Sequence, residues 1–363
     1  MKKGFFFSLF LLLGLILGGC SMYSGRYSHV VPHQLRSAQS QSQTLRARSA
    51  EELCAVLDSL VASTTSNAAI YIERIGEEEL DAVLLSASEY MRNDSPVGTF
   101  ALDDISLEVG TNRGRTAVAA ELSFNRSAVE IRQIITAGDI SQARLEIENA
   151  LAACRPRLAL HILEYQDTDF TQMVADLSRE NIQNIMEQPH VAEEVFGTGS
   201  SRVVELNFSY ENSRDALRAM QAQVQPIFNA ANLYVSGDAQ DAQKFSHLYA
   251  FLMERFDYTF ETSITPAYSL LMHGVGDSRT FAYVYAAMCH NAGLSCDVVT
   301  GTRYGEPWTW NRIAYDDTEY YVDLIRCSHN GNFWAMHPAD LAGYVWDYSQ
   351  LSTPEAEPAA TEE

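Results

Sequence analysis

Apolar residues recur along this chain in two registers, and the recurrence happens twice. Ile70 and Ile72 alternate with their neighbours as a strand does. Leu80, Val83, Leu84 and Ala87 then fall at i, i+3, i+4 and i+7, the spacing of one helix face. Ninety residues on, Leu160, Ile162, Phe170, Met173, Val174 and Leu177 repeat that order. A second echo, at an offset of 86, carries Leu122, Phe124, Ser127, Ile131 and Ile134 onto Phe208, Tyr210, Ser213, Leu217 and Met220. Here too a strand runs into a helix. Ser127 with Glu130 is a capping-box pattern, and Ser213 stands at the equivalent cap. The pattern therefore predicts two units of strand, helix, strand, helix, over 50–154 and 155–239, each the size of one α+β module. Helices over 50–62 and 139–153 precede them. This half holds no Gly-rich phosphate loop, histidine cluster or Ser-His-Asp spacing, which points to spacing or protein contact.

The second repeat is expected to run through Gly237 into a helix from Asp241 to Arg255, giving a rigid junction. Beyond it, Phe281, Val284, Tyr285 and Met288 lie at helical spacing behind a turn ending at Gly276. Gly293 is a candidate left-handed residue after that helix, and Asp297 to Thr300 is a short β-branched run. Three motifs sit on this frame: His273-Gly-Val-Gly-Asp-Ser-Arg-Thr-Phe-Ala282, Trp308-Thr-Trp-Asn311 and Tyr320-Tyr-Val-Asp323. Together they resemble the transglutaminase-like superfamily, whose members carry roughly Gly-x-Gly-x-Cys-x-x-Tyr-Ala, then His-Ala-Trp-Asn, then Trp-Tyr-x-x-Asp. Asn291 to Gly301 and Phe333 to Asp347 extend the resemblance, which covers about 240–350. The implied fold class is α+β: N-terminal tandem α/β repeats followed by a C-terminal transglutaminase-like domain of papain-like fold.

The resemblance implies a Cys-His-Asp triad, and this sequence keeps one member. The nucleophile position falls on Ser278, the general-base position on Trp308 and the orienting carboxylate on Asp323. A thiol at a helix start is activated by the exposed N–H groups and a nearby imidazole. Serine is a weaker nucleophile that needs a positioned base, and indole N–H only donates. Ser278 then reads as a helix N-cap. Asp323, with no imidazole to orient, is left to accept from the Trp308 N–H or to pair with Arg326 or Arg279. Tyr304, Trp310 and Trp334, with Trp308, are candidates for an aromatic ligand groove, which stands beside the alternative that Trp308 packs the cleft shut and Trp310 joins the core. The expected role is binding or assembly without catalysis, with a peptide, protein or glycan ligand. The alternative is an active hydrolase or acyl transferase in which Ser278 uses His273, His290 or His329 as base.

The ends of the chain set the location. Lys2 and Lys3, an apolar run from Phe5 to Leu17 and then Leu17-Gly-Gly-Cys20 resemble a bacterial lipoprotein signal. The run is shorter than the ~20 apolar residues that span a bilayer. Residues 1–20 are thus expected to be a signal peptide, with Cys20 lipidated and the rest extracytoplasmic, anchored to the membrane. Residues 21–49, rich in Ser, Gln and Arg, read as a flexible tether, and 351–363 as a disordered acidic tail. The chain has 25 basic against 47 acidic residues, a formal charge of −22 that excludes nucleic acid as a partner. With Cys20 spent, Cys54, Cys154, Cys289, Cys296 and Cys327 remain, none at a zinc spacing, so no metal or cofactor is expected. They read as buried thiols, with Cys289 to Cys296 open as a disulfide in an oxidising setting.

Overall fold

A computed structural model describes residues 45–347 apart from 113, 236 and 256, so the signal, Cys20, most of the tether and the acidic tail lie outside the described residues. From Ala47 onward the described residues belong to one compact unit, whose fold is given below.

Two sheets of matching topology fill its N-terminal half. The first has the order β1-β2-β4-β3, built from β1 (Arg46–Ala47), β2 (Asn67–Ile72), β3 (Leu102–Asn112) and β4 (Arg115–Phe124). The second has the order β5-β6-β8-β7, built from β5 (Ile135–Ala137), β6 (Arg157–Ile162), β7 (His190–Phe196) and β8 (Arg202–Ser209). Helices enter at equivalent points. In the first repeat they are α1 (Ala50–Ala62), α2 (Glu77–Asn93), the short α3 (Pro96–Ala101) and α4 (Ala128–Arg132); in the second, α5 (Ile140–Ala152), α6 (Phe170–Glu180) and α7 (Arg214–Tyr234). Caps fix the starts. Ser49 and Asp139 each accept an N–H from the first turn of α1 and α5. The Ser127 and Glu130 capping box forms at α4, and Ser213 Oγ accepts from the Ala216 N–H at 3.2 Å.

The structure departs from the expected units in two ways. Each repeat carries an antiparallel pair where the pattern predicts a single second strand, and β3 and β7 leave no trace in the apolar pattern. Both are edge strands with mostly exposed residues, so neither carries an alternation of buried positions. The helix α5, which the 154/155 boundary groups with the first repeat, buries Ala143, Ile147, Ala150 and Leu151 against Leu158, Leu160 and Phe170 of the second.

The repeats are joined by packing as well as sequence. Phe100 of α3 meets Phe196 of β7 edge to face at 5.2 Å, with the Arg126 guanidinium 4.8 Å from the Phe100 ring centre. Arg126 Nη2 pairs at 2.8 Å with Glu205, a buried carboxylate of the second repeat that also pairs with Arg157. Arg157 in turn reaches back to Glu130 of the first. Two buried or half-buried carboxylates thus share two guanidinium groups across the seam.

The C-terminal part grows out of the last repeat helix. α7 buries Leu217, Val224, Phe228 and Ala231 in one core with Phe245 and Leu248 of α8 (Asp241–Met253) and Phe281, Tyr285 and Met288 of α10 (Ser278–Asn291). Tyr285 OH donates to the Phe245 carbonyl at 2.8 Å. This shared core makes the junction continuous, though α8 stops at Met253 rather than Arg255. α9 (Pro266–His273) precedes α10. A sheet of order β11-β10-β9-β12 follows, from β9 (Cys296–Arg303), β10 (Glu306–Tyr315), β11 (Thr318–Val322) and β12 (Tyr344–Trp346), with α11 (Leu324–Asn330) after β11. Gly293 takes the left-handed position after α10, at φ 72°. No described helix is long and apolar enough to cross a membrane.

Arg157→Ala should cost about 2–4 kcal/mol, read by urea denaturation, because it leaves buried Glu205 with one partner. The Arg157 guanidinium and the Ser127 cap hold the Glu130 carboxyl down to about 2. That contribution is full above the ordinary glutamate range and is lost as pH falls through about 2, so wild type and variant should converge on acidification.

Candidate functional site

The three triad-equivalent positions sit at the start of α10, on β10 and at the start of α11. Asp277, not Ser278, caps α10: its carboxylate accepts from the Thr280 N–H at 2.8 Å and from Thr280 Oγ1 at 2.7 Å. A carboxylate is as good a cap as a hydroxyl and adds a favourable charge at the helix start, which leaves Ser278 at the first helical position. Ser278 Oγ accepts the Thr309 N–H of β10 at 3.3 Å.

Ser278 and Asp323 line one small cavity with Phe281, Trp310, Asn311 and Leu324, and it has no space that a water molecule could occupy. Asn311 is fully buried and ties the sheet to the helix through an Nδ2 bond of 2.9 Å to the Ala282 carbonyl. Trp308 is outside this cavity lining. Its indole N–H reaches Asp323 Oδ2 at 2.9 Å. The bond is the one a triad imidazole would make to its carboxylate, but the indole has no basic nitrogen to offer a nucleophile.

Asp323 is 1% exposed and fully engaged. Besides Trp308, its Oδ2 accepts from Tyr344 OH at 2.6 Å and lies 3.3 Å from Arg303 Nη1. Oδ1 accepts the Arg326 N–H at 3.0 Å and so caps α11. Of the expected partners, Trp308 is present, whereas the ion pair is with Arg303 rather than with Arg326 or Arg279. The Arg326 side chain instead covers the Trp334 ring at 4.5 Å. Strand register brings Arg303 here, since it faces Tyr344 across the β9 and β12 pairing. Burial and the Asp323 charge push the Tyr344 hydroxyl well above its ordinary range, so it remains a donor.

The register that brings these groups together depends on Gly301. It pairs with Trp308 on one side and Trp346 on the other, and a Cβ there would collide with the Val345 carbonyl oxygen. Arg303 stacks over Trp308 and Tyr344, with 5.3 and 5.5 Å to the ring centres. Of the groove candidates, Trp310 is completely buried between Tyr344 and Trp346 and cannot contact a ligand. Tyr304 is 74% exposed, and Trp334 is half-buried beneath Arg326.

No histidine lines the Ser278 cavity or bonds to Ser278 among the described residues. His273 packs on Tyr268 and His329 on Phe260, while His290 is exposed at the far end of α10. The described cysteines are free thiols, including Cys289 and Cys296. Burial pushes the Cys327 thiol up to about 11 and Cys296 well above its ordinary range, so both stay protonated and unreactive at neutral pH. No described group of three or more His, Cys, Asp or Glu could hold a metal ion.

The transglutaminase-like superfamily profile matches residues 229–338, a span that holds all three motifs. Residues 229–338 form a transglutaminase-like domain. Its first residues are the last turn and a half of α7, so the domain begins inside the second repeat's closing helix. Solved structures with some likeness include a TGase, at 9% identity and TM-score 0.25, covering 60% of this chain and 63% of that one. A candidate cysteine protease from Cytophaga hutchinsonii shows 14% identity and TM-score 0.25, covering 43% and 70%. A candidate protease from Parabacteroides distasonis shows 9% identity and TM-score 0.23, covering 70% and 39%. The chain thus spans less than two thirds of the first and third, and at these TM-scores none bears on its chemistry. Among curated proteins none matches the sequence.

Asp323→Ala should destabilise the domain by about 3–5 kcal/mol, because it strands Arg303 and two buried donors and removes a helix cap. Trp308→Phe should cost about 1–3 kcal/mol. Ser278→Ala should stay within about 1 kcal/mol, all three read by urea denaturation.

Proposed function

We propose that the protein is a lipid-anchored, extracytoplasmic component of the cell envelope whose transglutaminase-like domain binds or assembles rather than catalyses. The single observation that carries this reading is the Trp308 indole N–H on Asp323: the carboxylate that would orient a base is committed to a group that cannot be one. The shut cavity at Ser278 and the absence of a lining imidazole support it. A serine without a base within about 3 Å, or one water away, has no route to the alkoxide. The anchor rests on Leu17-Gly-Gly-Cys20 and the short apolar run before it.

The full-length protein, assayed for amide hydrolysis and for Gln–Lys crosslinking, should give no turnover above buffer, and Ser278→Ala should change nothing. Turnover that Ser278→Ala abolishes would overturn the proposal. Mass spectrometry of the membrane-extracted protein should find a mature N-terminus at Cys20 carrying lipid, and an uncleaved N-terminus would remove the anchor.

A further inference from the structure

The sequence offers Arg279 as a partner for Asp323, and the structure turns it elsewhere. Arg279, directly after Ser278, is exposed and has no hydrogen bond or ion pair among the described residues. It lines a cleft between the second repeat and the transglutaminase-like domain. One part of the cleft is a cavity of about 260 Å³ with Ile182, Ile185, Ile264 and Pro266 along it. The adjoining part, about 400 Å³, opens toward Thr300 of β9. Arg179, Arg279 and Tyr283 line both. Cavities of this order at domain boundaries suit small ligands or a few residues of peptide.

Most of the cleft's charges are spent within the protein: Asp347, at its Thr300 end, has a partner of its own, and only the Glu211 carboxylate shares the lining without one among the described residues. Arg179 is paired with Asp176. Glu187 takes the N–H and side-chain Nδ2 of Asn212, at 3.1 and 2.7 Å, together with the Glu211 N–H. Asp277 serves Thr280 and Thr262. Arg279 keeps its full set of donors, in a cleft whose apolar side has Ile264 exposed over the buried Ile182 and Ile185. Ile264 is 53% exposed there. A guanidinium fork next to exposed aliphatic surface is complementary to a carboxylate carried close to an apolar side chain.

We propose that this cleft is a binding site for a peptide carboxylate, with Arg279 holding the carboxylate and Ile182, Ile185 and Ile264 taking the adjacent apolar side chain. The site deepens the reading above, on which it rests for the absence of turnover, and places recognition beside the old catalytic position rather than in it. Such a carboxylate is either the free C-terminus of a peptide or the side chain of an acidic residue within one.

Isothermal titration of the full-length protein separates these cases with three probes: acetyl-Leu-Leu as free acid, its C-terminal amide, and acetyl-Leu-Glu amide. At least one acid should bind, with the neutral amide weaker by about tenfold or more, and the acid that binds names the source. Arg279→Gln should lose the same factor while keeping the wild-type melting temperature, and Arg279→Lys should retain part of the affinity. Ile264→Asn should weaken acid and amide alike. Equal binding of acids and amide, binding unchanged by Arg279→Gln, or no binding of either acid at millimolar concentration would each overturn the site. Ser278-dependent turnover with carboxylate-selective binding intact would overturn the inactive reading alone.

Discussion

A buried carboxylate dictates the architecture of the C-terminal domain. Asp323 cannot be left unpaired in the interior, because its desolvation would cost several kcal/mol. Four donors from four separate segments meet that demand: the Trp308 indole, the Tyr344 hydroxyl, the Arg303 guanidinium and the Arg326 backbone N–H. Each fixes something further. Trp308 and Arg303 set the faces of β10 and β9, Tyr344 brings β12 against β9, and the Arg326 N–H starts α11. The Gly301 contact with β12 exists only because β12 is drawn this close. Asp323 is thus the point on which the sheet, its edge strand and a helix converge.

A carboxylate that caps a helix and neutralises an arginine has structural work that is independent of any catalytic role. Trp308 supplies an N–H that the carboxylate accepts, and its aromatic face receives Arg303, a task for which an indole is the best of the aromatic side chains.

The periodic parts of this molecule are legible in its sequence. α1, α5, β2, β6, α2 and α6 each bury one face, so their apolar residues keep the spacing of the element. The Ser127 and Glu130 box and the Ser213 cap are readable for the same reason: a cap is a local bond between near neighbours. The edge strands β3 and β7 are hidden because exposure erases alternation. At the site, flanking motif residues locate Ser278, Trp308 and Asp323, and the bond between the last two follows from donor and acceptor chemistry. Arg303 and Tyr344 escape a sequence reading because strand register, not sequence proximity, brings them to Asp323. Trp310 is misplaced as a groove candidate for a related reason: an indole with an aromatic neighbour on two sides reads the same in sequence whether that cluster faces solvent or the core.

The duplicated N-terminal half gains a physical role from the same geometry. α7 belongs both to the second repeat and to the core around α10. The seam of Arg126, Glu205, Arg157 and Glu130 then couples the first repeat to the second. Attachment through a shared core has a consequence for recognition. The cleft beside Arg279 has one wall from each side of this junction, α6 and its following loop on one and the start of α10 on the other. A cleft whose two walls share a core helix needs less ordering on binding than one between loosely tethered domains, which is the advantage this arrangement would give the proposed site.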